Sequence, residues 1–395
     1  MNRLIATESR ISHLYCSACG KKYAHYTLTD FAHCCNKPLL VEYDLEAKID
    51  RTLLEGRENN MWRYREVLPV LDSDNMVSLG EGMTPMLRAD RVSDANGFKD
   101  LYVKDEGLNP TGSFKARGLS MAISKAKELG VTECVIPTAG NAGGALSAYC
   151  ARAGMKATVI MPIITPKIFK EECMFYGAEV MLVDGLIDKC GSLAKEIEEE
   201  RGAFNISTLK EPYRIEGKKT MGYEIAEQFN WKLPDVILYP TGGGTGIIGI
   251  WKAFKEMTRL GWIVDEKMPR MIVVQTESCS PVVNEILGIT TDESKFQKSI
   301  ANGLAVPKAF GIDLIREVVS ESGGTALTVS EEEIREGTLE FGRMEGISVC
   351  TEGGALWMAL KKLVERGEVS KEEKIVLMNT GTGLKYLENL ELGLR

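Results

Sequence analysis

The chain has 395 residues, of which 44% are hydrophobic and 26% are charged, and its formal net charge is −8 at pH 7. This length exceeds one ordinary hydrophobic core, so two domains and a small additional module are expected of a globular protein. The acidic balance argues against nucleic-acid or anionic-membrane binding as the main function, and no stretch approaches the roughly 18–20 uncharged residues of a membrane span.

The N-terminal part of the sequence is unlike the rest, because it contains four of the ten cysteines and all three histidines. Cys16 and Cys19 form a C-x-x-C pair, as in a zinc ribbon, where two hairpins supply two thiolates each. Cys34 and Cys35 are adjacent and are not expected to face one ion together, so His33 with Cys35 is an alternative pair. The segment is expected either to bind a structural zinc ion or to be a packing module that has lost its metal. The other cysteines are scattered and there is no apolar leader, so a cytoplasmic location is expected.

Short apolar runs alternate with amphipathic segments from about residue 101 onward, which predicts an α/β fold with largely parallel sheets. Strands are predicted at 101–104, 134–136, 157–161, 180–183, 236–239, 271–275 and 374–378. Helices are predicted at 115–129, 141–153, 167–176, 194–200, 247–257 and 354–365, with one more after the capping-box pair Ser330 and Glu333. Ligands of such folds bind beyond the carboxyl ends of the strands, against helix N-termini. Four of the predicted turns that follow strands have reactive or glycine-rich sequences.

The first of these turns is Asn-Pro-Thr-Gly-Ser-Phe-Lys, residues 109–115. An amine at the start of a helix lies near the positive end of the helix dipole, which favours the uncharged form needed for covalent chemistry with an aldehyde. Read alone, Lys115 is more often an ordinary solvated lysine.

The second turn, residues 138–144, has the sequence Thr-Ala-Gly-Asn-Ala-Gly-Gly. Small residues let backbone amides approach a carboxylate, and Asn141 offers an amide to a polar ring substituent. A turn that only eases helix–sheet packing is an equal alternative.

The third turn, Thr-Gly-Gly-Gly-Thr-Gly at 241–246, follows a strand and begins a helix, which is typical of a phosphate cradle. It lacks the Gly-Lys-Ser/Thr ending of a nucleoside-triphosphate loop. Gly244, Gly246 and Gly249 also fit a dinucleotide fingerprint, with Glu277 as a ribose ligand, so a nicotinamide-dependent oxidoreductase is the alternative from another class.

The fourth turn, Asn-Thr-Gly-Thr-Gly-Leu-Lys at 379–385, follows the last predicted strand. The Thr380 hydroxyl is suited to face a pyridine nitrogen and, unlike an aspartate, would leave it largely unprotonated. A purely structural turn is the alternative.

Together the four turns resemble the fold-type II pyridoxal-phosphate enzymes of the tryptophan synthase β family, and within them the threonine synthases, over roughly residues 10–390. The strings that carry the resemblance are 109–115, Glu-Gly-Lys-Lys-Thr at 216–220, and 380–385. It implies a two-domain fold with parallel-type sheets, to which the cysteine pattern adds a zinc-ribbon-like module at 11–43. It further implies a large cofactor-binding domain from 44–114 and 211–395, a small domain at 115–210, and a homodimer.

The same resemblance implies site residues. Lys115 is expected to be the Schiff-base lysine and the acid–base. The expected cofactor contacts are Phe114, Asn141, Gly242, Gly243, Gly244, Thr245, Gly246 and Thr380. The expected substrate contacts are Thr138, Ala139, Gly140, Asn141, Ala142, Thr208, Lys210 and Arg214, with Arg214 holding the substrate phosphate.

The implied reaction converts O-phospho-L-homoserine and water to L-threonine and phosphate. One departure from the family is Ala116, where threonine synthases usually carry Asp and where threonine and serine dehydratases carry an apolar residue. Those dehydratases, and cysteate synthase, therefore stay as alternatives. Arg214 with Lys218 and Lys219 favours a phosphorylated substrate.

Overall fold

The computed structural model describes residues 9–46, 49–185, 187–263 and 267–392. They contain thirteen strands and eleven α-helices. The strands are β1 (Ile11–Cys16), β2 (Lys22–Tyr23), β3 (Leu39–Tyr43), β4 (Met86–Arg88), β5 (Asp100–Asp105), β6 (Glu133–Pro137), β7 (Lys156–Pro162), β8 (Glu179–Val183), β9 (Phe204–Asn205), β10 (Val236–Pro240), β11 (Arg270–Thr276), β12 (Thr325–Val329) and β13 (Lys374–Asn379). The helices are α1 (Asp90–Asn96), α2 (Lys115–Glu128), α3 (Asn141–Ala153), α4 (Lys167–Phe175), α5 (Ile187–Arg201), α6 (Tyr213–Gln228), α7 (Thr245–Leu260), α8 (Pro281–Leu287), α9 (Ile312–Ser322), α10 (Glu331–Glu345) and α11 (Thr351–Glu365).

The chain divides into two compact units. The first comprises 1–83, 115–221 and 255–262, and the second comprises 84–114, 222–254 and 263–395. This division differs from the domain ranges expected from the family, which assign 44–83, 211–221 and 255–262 to the large domain. Those ranges stay a prediction.

The first unit contains two sheets. The N-terminal strands form an antiparallel sheet in the order β2-β1-β3, and the second sheet is parallel in the order β8-β7-β6-β9. Apolar side chains of β6 and β7 pack against α5, as Val135 and Ile160 do against Ala194 and Ile197. Burial on both faces explains why these strands are continuous apolar runs.

The second unit is built on a six-stranded sheet in the order β12-β11-β10-β13-β5-β4. All neighbours are parallel except β4 and β5. The sheet brings the carboxyl ends of β10 and β13 side by side, because Val236 pairs with Ile375 and Leu238 with Leu377. The third and fourth sequence turns follow these two strands and therefore begin at one edge of one sheet.

The predicted α/β class with parallel sheets is confirmed. Each predicted strand and helix lies inside an observed element or extends beyond it by one residue, and several observed helices are longer than predicted. The capping box is also present: the Ser330 side chain accepts from Glu333 N at 3.2 Å, and the Glu333 carboxylate accepts from Ser330 N at 2.7 Å. Strands β1 to β4, β9 and β12 and helices α1, α6, α8 and α9 were not predicted. In the described ranges, no helix is long and apolar enough to cross a membrane.

Candidate active site

Two of the four predicted turns are hydrogen-bonded to each other in the second unit. The Phe114 amide donates to the Thr380 carbonyl at 3.0 Å, and the Thr382 amide donates to the Gly112 carbonyl at 2.9 Å. The Lys385 ammonium donates to the Thr111 carbonyl at 2.8 Å. The structure therefore brings together residues that lie some 270 positions apart in the sequence, as expected if both turns serve one site.

The backbone of the first turn requires glycine at one position. Gly112 has φ +64°, and a side chain there would also meet the Thr382 methyl group at 2.8 Å. Thr111, with φ 59°, is in the same left-handed region and makes this turn locally strained. The turn ends at Phe114, and Lys115 is the first residue of α2.

Thr380 is buried beside the start of α11. Its hydroxyl lies 3.8 Å from the Cys350 sulfur, and the neighbouring Asn379 side chain accepts from Cys350 N and donates to Asp105. Burial, the largest cause, raises the pKa of Asp105. Thr380 is thus fixed on a well-packed strand end, as a residue that orients a ring must be.

The glycine loop at 242–246 is packed closely enough to exclude side chains. A Cβ on Gly242 would lie 2.1 Å from the Gly303 carbonyl oxygen, and one on Gly246 would lie 1.7 Å from the Tyr239 hydroxyl. Gly244 has φ +80°, and α7 starts at the next residue, Thr245. Small residues before a helix N-terminus leave backbone N–H groups available to an anion, so this loop fits the phosphate of pyridoxal phosphate.

The Phe114 ring provides a link within this unit between the first turn and the glycine loop. It packs edge-on against Tyr239 of β10, with ring centroids 6.4 Å apart. Tyr239 lies two residues before Thr241, where the loop begins. Phe114, Thr380 and the glycine loop are therefore parts of one packed region of the second unit.

The turn at 138–142 belongs to the first unit. The Thr138 hydroxyl accepts from the Gly140 amide at 3.2 Å, and Asn141 is the first residue of α3. Thr138 and Ala142 are buried, and Ala139, Gly140 and Asn141 are half-buried. Gly143 and Gly144 leave no room for side chains, since a Cβ would meet Met161 at 2.8 Å in the first case and Glu172 at 2.2 Å in the second. The glycines here thus serve close packing, and the residues before them present the helix N-terminus.

Arg214 lies in the first turn of α6 and is almost completely buried. Its Nη1 donates to the Ile206 carbonyl at 2.9 Å and to the Thr208 hydroxyl at 3.4 Å. Its Nε and Nη2 are buried and have no hydrogen-bond partner among the described residues. Burial lowers the pKa of the guanidinium, against the opposing charge of Glu211. Two buried, unpartnered donors on a planar cation are suited to an anion that binds in a bidentate manner.

Two predicted substrate contacts near Arg214 in the sequence, Thr208 and Lys210, are more exposed than Arg214. The Thr208 hydroxyl accepts a hydrogen bond from Arg214, although Thr208 is an exposed residue. Lys210 is exposed as well. The structure therefore brings Thr208 to Arg214 and leaves Lys210 on the surface.

Sequence reasoning missed the carboxylate that positions Arg214. Glu211 is buried, and one of its oxygens accepts from the amides of Tyr213 and Arg214 at 2.8 and 3.0 Å, so it caps the N-terminus of α6. Burial raises the pKa of Glu211. An acidic residue just before a helix is a recognisable capping signal, although helix α6 itself had not been predicted.

Buried cations from α2 and α6 gather around Gly118. A Cβ on Gly118 would lie 3.1 Å from both the Lys218 Nζ and the Arg214 carbonyl oxygen. Arg117, which precedes Gly118, donates to the Thr220 hydroxyl at 2.9 Å. Arg117, Arg214 and Lys218 are all buried, and Glu211 is the carboxylate that acts on both Arg214 and Lys218. The local charge is therefore positive within an acidic protein.

The N-terminal cysteines form a cluster. The sulfur atoms of Cys16, Cys19, Cys34 and Cys35 all lie within 4.8 Å of one another, and those of Cys19 and Cys34 are 3.6 Å apart. A hydrogen bond with Tyr23 lowers the pKa of Cys34 to about 7, and one with Cys19 raises the pKa of Cys35 to about 12.

This geometry corrects two sequence-based expectations. Cys34 and Cys35 do lie at one point, because they occupy a tight turn at 33–36, where successive side chains need not alternate as they do in a strand. His33 is not part of the group. Its Nε2 bonds to the Asp30 carboxylate at 2.8 Å, and its ring packs on Phe31 with centroids 4.6 Å apart.

Comparison with known proteins agrees with the geometry of the site. A family model described as pyridoxal-phosphate dependent enzyme matches residues 77–381. A threonine synthase of Methanocaldococcus jannaschii is 36% identical over 378 residues, covering 94% of this chain and 92% of that protein. A threonine synthase of Methanosarcina acetivorans is 34% identical over 379 residues, with 94% and 92% covered.

Solved structures share the fold at lower identity. The processed form of threonine deaminase isoform 2 from Solanum lycopersicum superimposes with a TM-score of 0.65 at 22% identity, covering 79% of this chain and 88% of that one. Maize serine racemase gives a TM-score of 0.65 at 23% identity, covering 78% and 93%.

Proposed function

Because the chain belongs to the threonine synthase family of pyridoxal-phosphate-dependent enzymes, we propose that it converts O-phospho-L-homoserine and water to L-threonine and phosphate. The observation that carries this choice of substrate is Arg214, whose Nε and Nη2 are buried without partners in the described structure. A buried guanidinium with two unused donors is costly unless a ligand satisfies it. A phosphate monoester dianion has the charge and the geometry to do so.

The residues that would hold the cofactor are Lys115, Asn141, Thr380, Phe114 and the loop 242–246. When bound, pyridoxal phosphate delocalises the negative charge that develops when a proton leaves Cα of the amino acid. The neutral Thr380 hydroxyl, unlike a carboxylate, would not hold a proton on the ring nitrogen. It would thereby restrain the charge from spreading fully into the ring and leave it available for chemistry at Cβ.

Proton transfer is the role proposed for the Lys115 amine. Protons leave Cα and Cβ, the bond between Cγ and the phosphate oxygen breaks, and the phosphate leaves with the electron pair. A proton is added at Cγ, water supplies a hydroxyl to Cβ, and a proton returns to Cα. An amine on the first residue of a helix can take and return these protons, because the helix N-terminus favours its uncharged form.

The remaining residues position the substrate. The turn 138–142 offers the N-terminus of α3 to the α-carboxylate, as helix N-termini do for anions. Arg214, fixed by Ile206 and Glu211, holds the phosphate at the other end of the molecule. Two anchored anions leave Cα, Cβ and Cγ little freedom, which favours elimination in one direction.

A dehydratase acting on threonine or serine is the second candidate, favoured by one observation. Ala116 is fully buried and apolar next to Lys115, where threonine synthases usually carry Asp. Cysteate synthase, which uses phosphoserine and sulfite, would also explain a buried phosphate-binding arginine. The nicotinamide alternative has lost its support, because the family match covers the glycine loop on which it depended.

A substrate panel on the cofactor-loaded enzyme separates these candidates. O-phospho-L-homoserine is expected to release phosphate with one threonine formed per phosphate. Ammonia release from threonine or serine, without phosphate chemistry, would establish the dehydratase. Sulfite-dependent phosphate release from phosphoserine would establish the cysteate synthase. The homodimer expected of the fold group is likewise a proposal, and sedimentation analysis tests it.

A further inference from the structure

The cysteine cluster at the N-terminus has the dimensions of a metal site. Zinc–sulfur bonds of about 2.3 Å in a tetrahedron place sulfur atoms about 3.8 Å apart. The Cys19 and Cys34 sulfurs are 3.6 Å apart, and all four sulfurs lie within 4.8 Å of one another. A disulfide would need sulfurs about 2.0 Å apart, and all four cysteines are free.

Two hydrogen-bonded turns present these four thiols. In the first, the Cys16 amide donates to Lys21 O at 2.9 Å, the Gly20 amide donates to Cys16 O at 2.9 Å, and Gly20 has φ +71°. In the second, Ala32 and Lys37 form an antiparallel bridge around Cys34 and Cys35. Two such turns with two thiolates each form a closed, four-ligand site of the structural type.

The sheet that carries the turns has little core of its own. Its fully or nearly fully buried apolar side chains are few: Leu14, Cys16, Ala32, Leu39, Leu40, Val41 and Tyr43. Modules of this size usually need a metal or disulfides for stability.

One residue of the same sheet reaches the helix that carries Arg214. Tyr43, the last residue of β3, donates from its hydroxyl to the Glu216 carboxylate at 2.7 Å. The Lys219 ammonium lies 2.6 Å from the same carboxylate, 3.0 Å from Glu256, and 3.9 Å from the centre of the Tyr43 ring. Glu216 and Lys219 are both fully buried on α6.

We propose that Cys16, Cys19, Cys34 and Cys35 bind one structural zinc ion, and that this ion stabilises the N-terminal half of α6 through Tyr43. The metal fixes the two turns at one end of β1 and β3. The opposite end of β3 then presents the Tyr43 hydroxyl to a buried ion pair that would be costly to disrupt. The metal site does not depend on the proposed function.

Metal analysis of the purified cofactor-loaded enzyme tests the site. We expect about one zinc ion per chain, released in step with modification of the cysteines by a mercurial reagent. Wild-type protein suffices for this measurement, so it does not depend on the folding of a variant. Protein containing no metal, or iron in place of zinc, would overturn the assignment.

Variants then test which residues are ligands. Cys34→Ser is expected to lose bound zinc, and His33→Ala is the matched control from the same turn, expected to retain it. Retention of zinc by Cys34→Ser, or its loss from His33→Ala, would contradict the four-cysteine site.

The coupling through Tyr43 has a separate readout. Removing zinc with a chelator is expected to lower the melting temperature of both the wild type and Tyr43→Phe. The decrease should be about 2–4 °C larger for the wild type, because the variant has already lost the hydrogen bond to Glu216. The exposed Tyr26, changed to Phe, is the control that should behave as wild type. Equal losses in Tyr43→Phe and wild type would refute the coupling.

Discussion

Nη1 of Arg214 donates a 2.9 Å hydrogen bond to the main-chain carbonyl of Ile206, just after strand β9. This bond fixes the guanidinium plane, while Nε and Nη2 remain buried with no acceptor in the part of the chain that the structure describes. A guanidinium held for packing alone would satisfy both of its terminal nitrogens with protein oxygens, as Arg63 does with Glu58 and Asn59 through Nη1 and with Leu54 through Nη2. This arrangement supports the proposal that Arg214 binds a ligand anion.

Replacing Arg214 with Met is expected to separate binding from stability. The value of kcat/KM for O-phospho-L-homoserine should fall about tenfold to a hundredfold, because charged hydrogen bonds contribute about 1.5–3 kcal/mol. The melting temperature should change little, because Lys218 still compensates the charge of the buried Glu211 and the variant also removes a desolvated cation. Steady-state kinetics and thermal unfolding measure the two effects. Lys210→Met, at an exposed lysine of the same segment, is the control with a much smaller kinetic effect, and an Arg214 variant that only unfolds more easily would argue for a structural role.

Glu211 predicts a dependence of stability on pH. Burial raises its pKa in the folded protein, so the stability it contributes is complete below the ordinary carboxyl pKa and is lost as pH rises through the raised, folded value. Glu211→Gln keeps an oxygen for the Tyr213 and Arg214 amides and cannot ionise. Its melting temperature relative to wild type should therefore increase from acid to neutral pH. A difference that shrinks as pH rises would show that the ionised carboxylate stabilises the fold.

A buried ion pair in the second unit predicts that losing one partner strongly destabilises the protein and that replacing the other partner as well restores most of the stability. The Lys104 ammonium lies 2.7 Å from the Glu224 carboxylate, and both side chains are fully buried. Lys104→Met removes the ammonium partner of this buried carboxylate and should cost about 3–5 kcal/mol in unfolding free energy. Lys104→Met combined with Glu224→Leu should recover most of that loss. Chemical denaturation checks this, and additive losses in the double variant would exclude the pairing.

The glycine loop predicts a specific loss of cofactor binding. A Cβ at Gly242 would lie 2.1 Å from Gly303 O, a backbone atom that cannot simply rotate away. Gly242→Ala should therefore purify with less pyridoxal phosphate than the wild type and bind it more weakly. Gly191→Ala, in helix α5 with open space around it, should keep the cofactor and gain a little stability. Full cofactor content in Gly242→Ala would show that this loop does not bind the cofactor.

Sequence patterns located most strands of the two larger sheets, because buried parallel strands are short apolar runs and glycine-rich turns interrupt them. Helix α6 could not be found in this way. Its residues Glu216, Lys218, Lys219 and Thr220 are buried although polar, so no apolar stripe marks its inner face. The sequence identified Arg214 only through a resemblance, and it could not show that Glu211 caps the helix or that Arg117 lies in the same charged region.

The cysteine cluster shows a different limit of sequence reasoning. Spacing predicted a metal site but left open whether Cys34 or His33 joins Cys35, because the path of the chain through the turn at 33–36 decides which side chains converge. Pairing between residues far apart, such as Phe114 with Thr380, likewise follows from the order of strands in the sheet. The sequence alone predicts that such turns share one edge of a sheet, and it does not predict which atoms bond.

Every role proposed for the site depends on pyridoxal phosphate being held covalently by the amine of Lys115. The direct measurement is reduction of the native, cofactor-loaded enzyme with borohydride, followed by proteolysis and mass spectrometry of the peptides. We expect a phosphopyridoxyl group on Lys115 alone, and no yellow absorbance band in Lys115→Ala. Labelling of a different lysine, or of none, would contradict it.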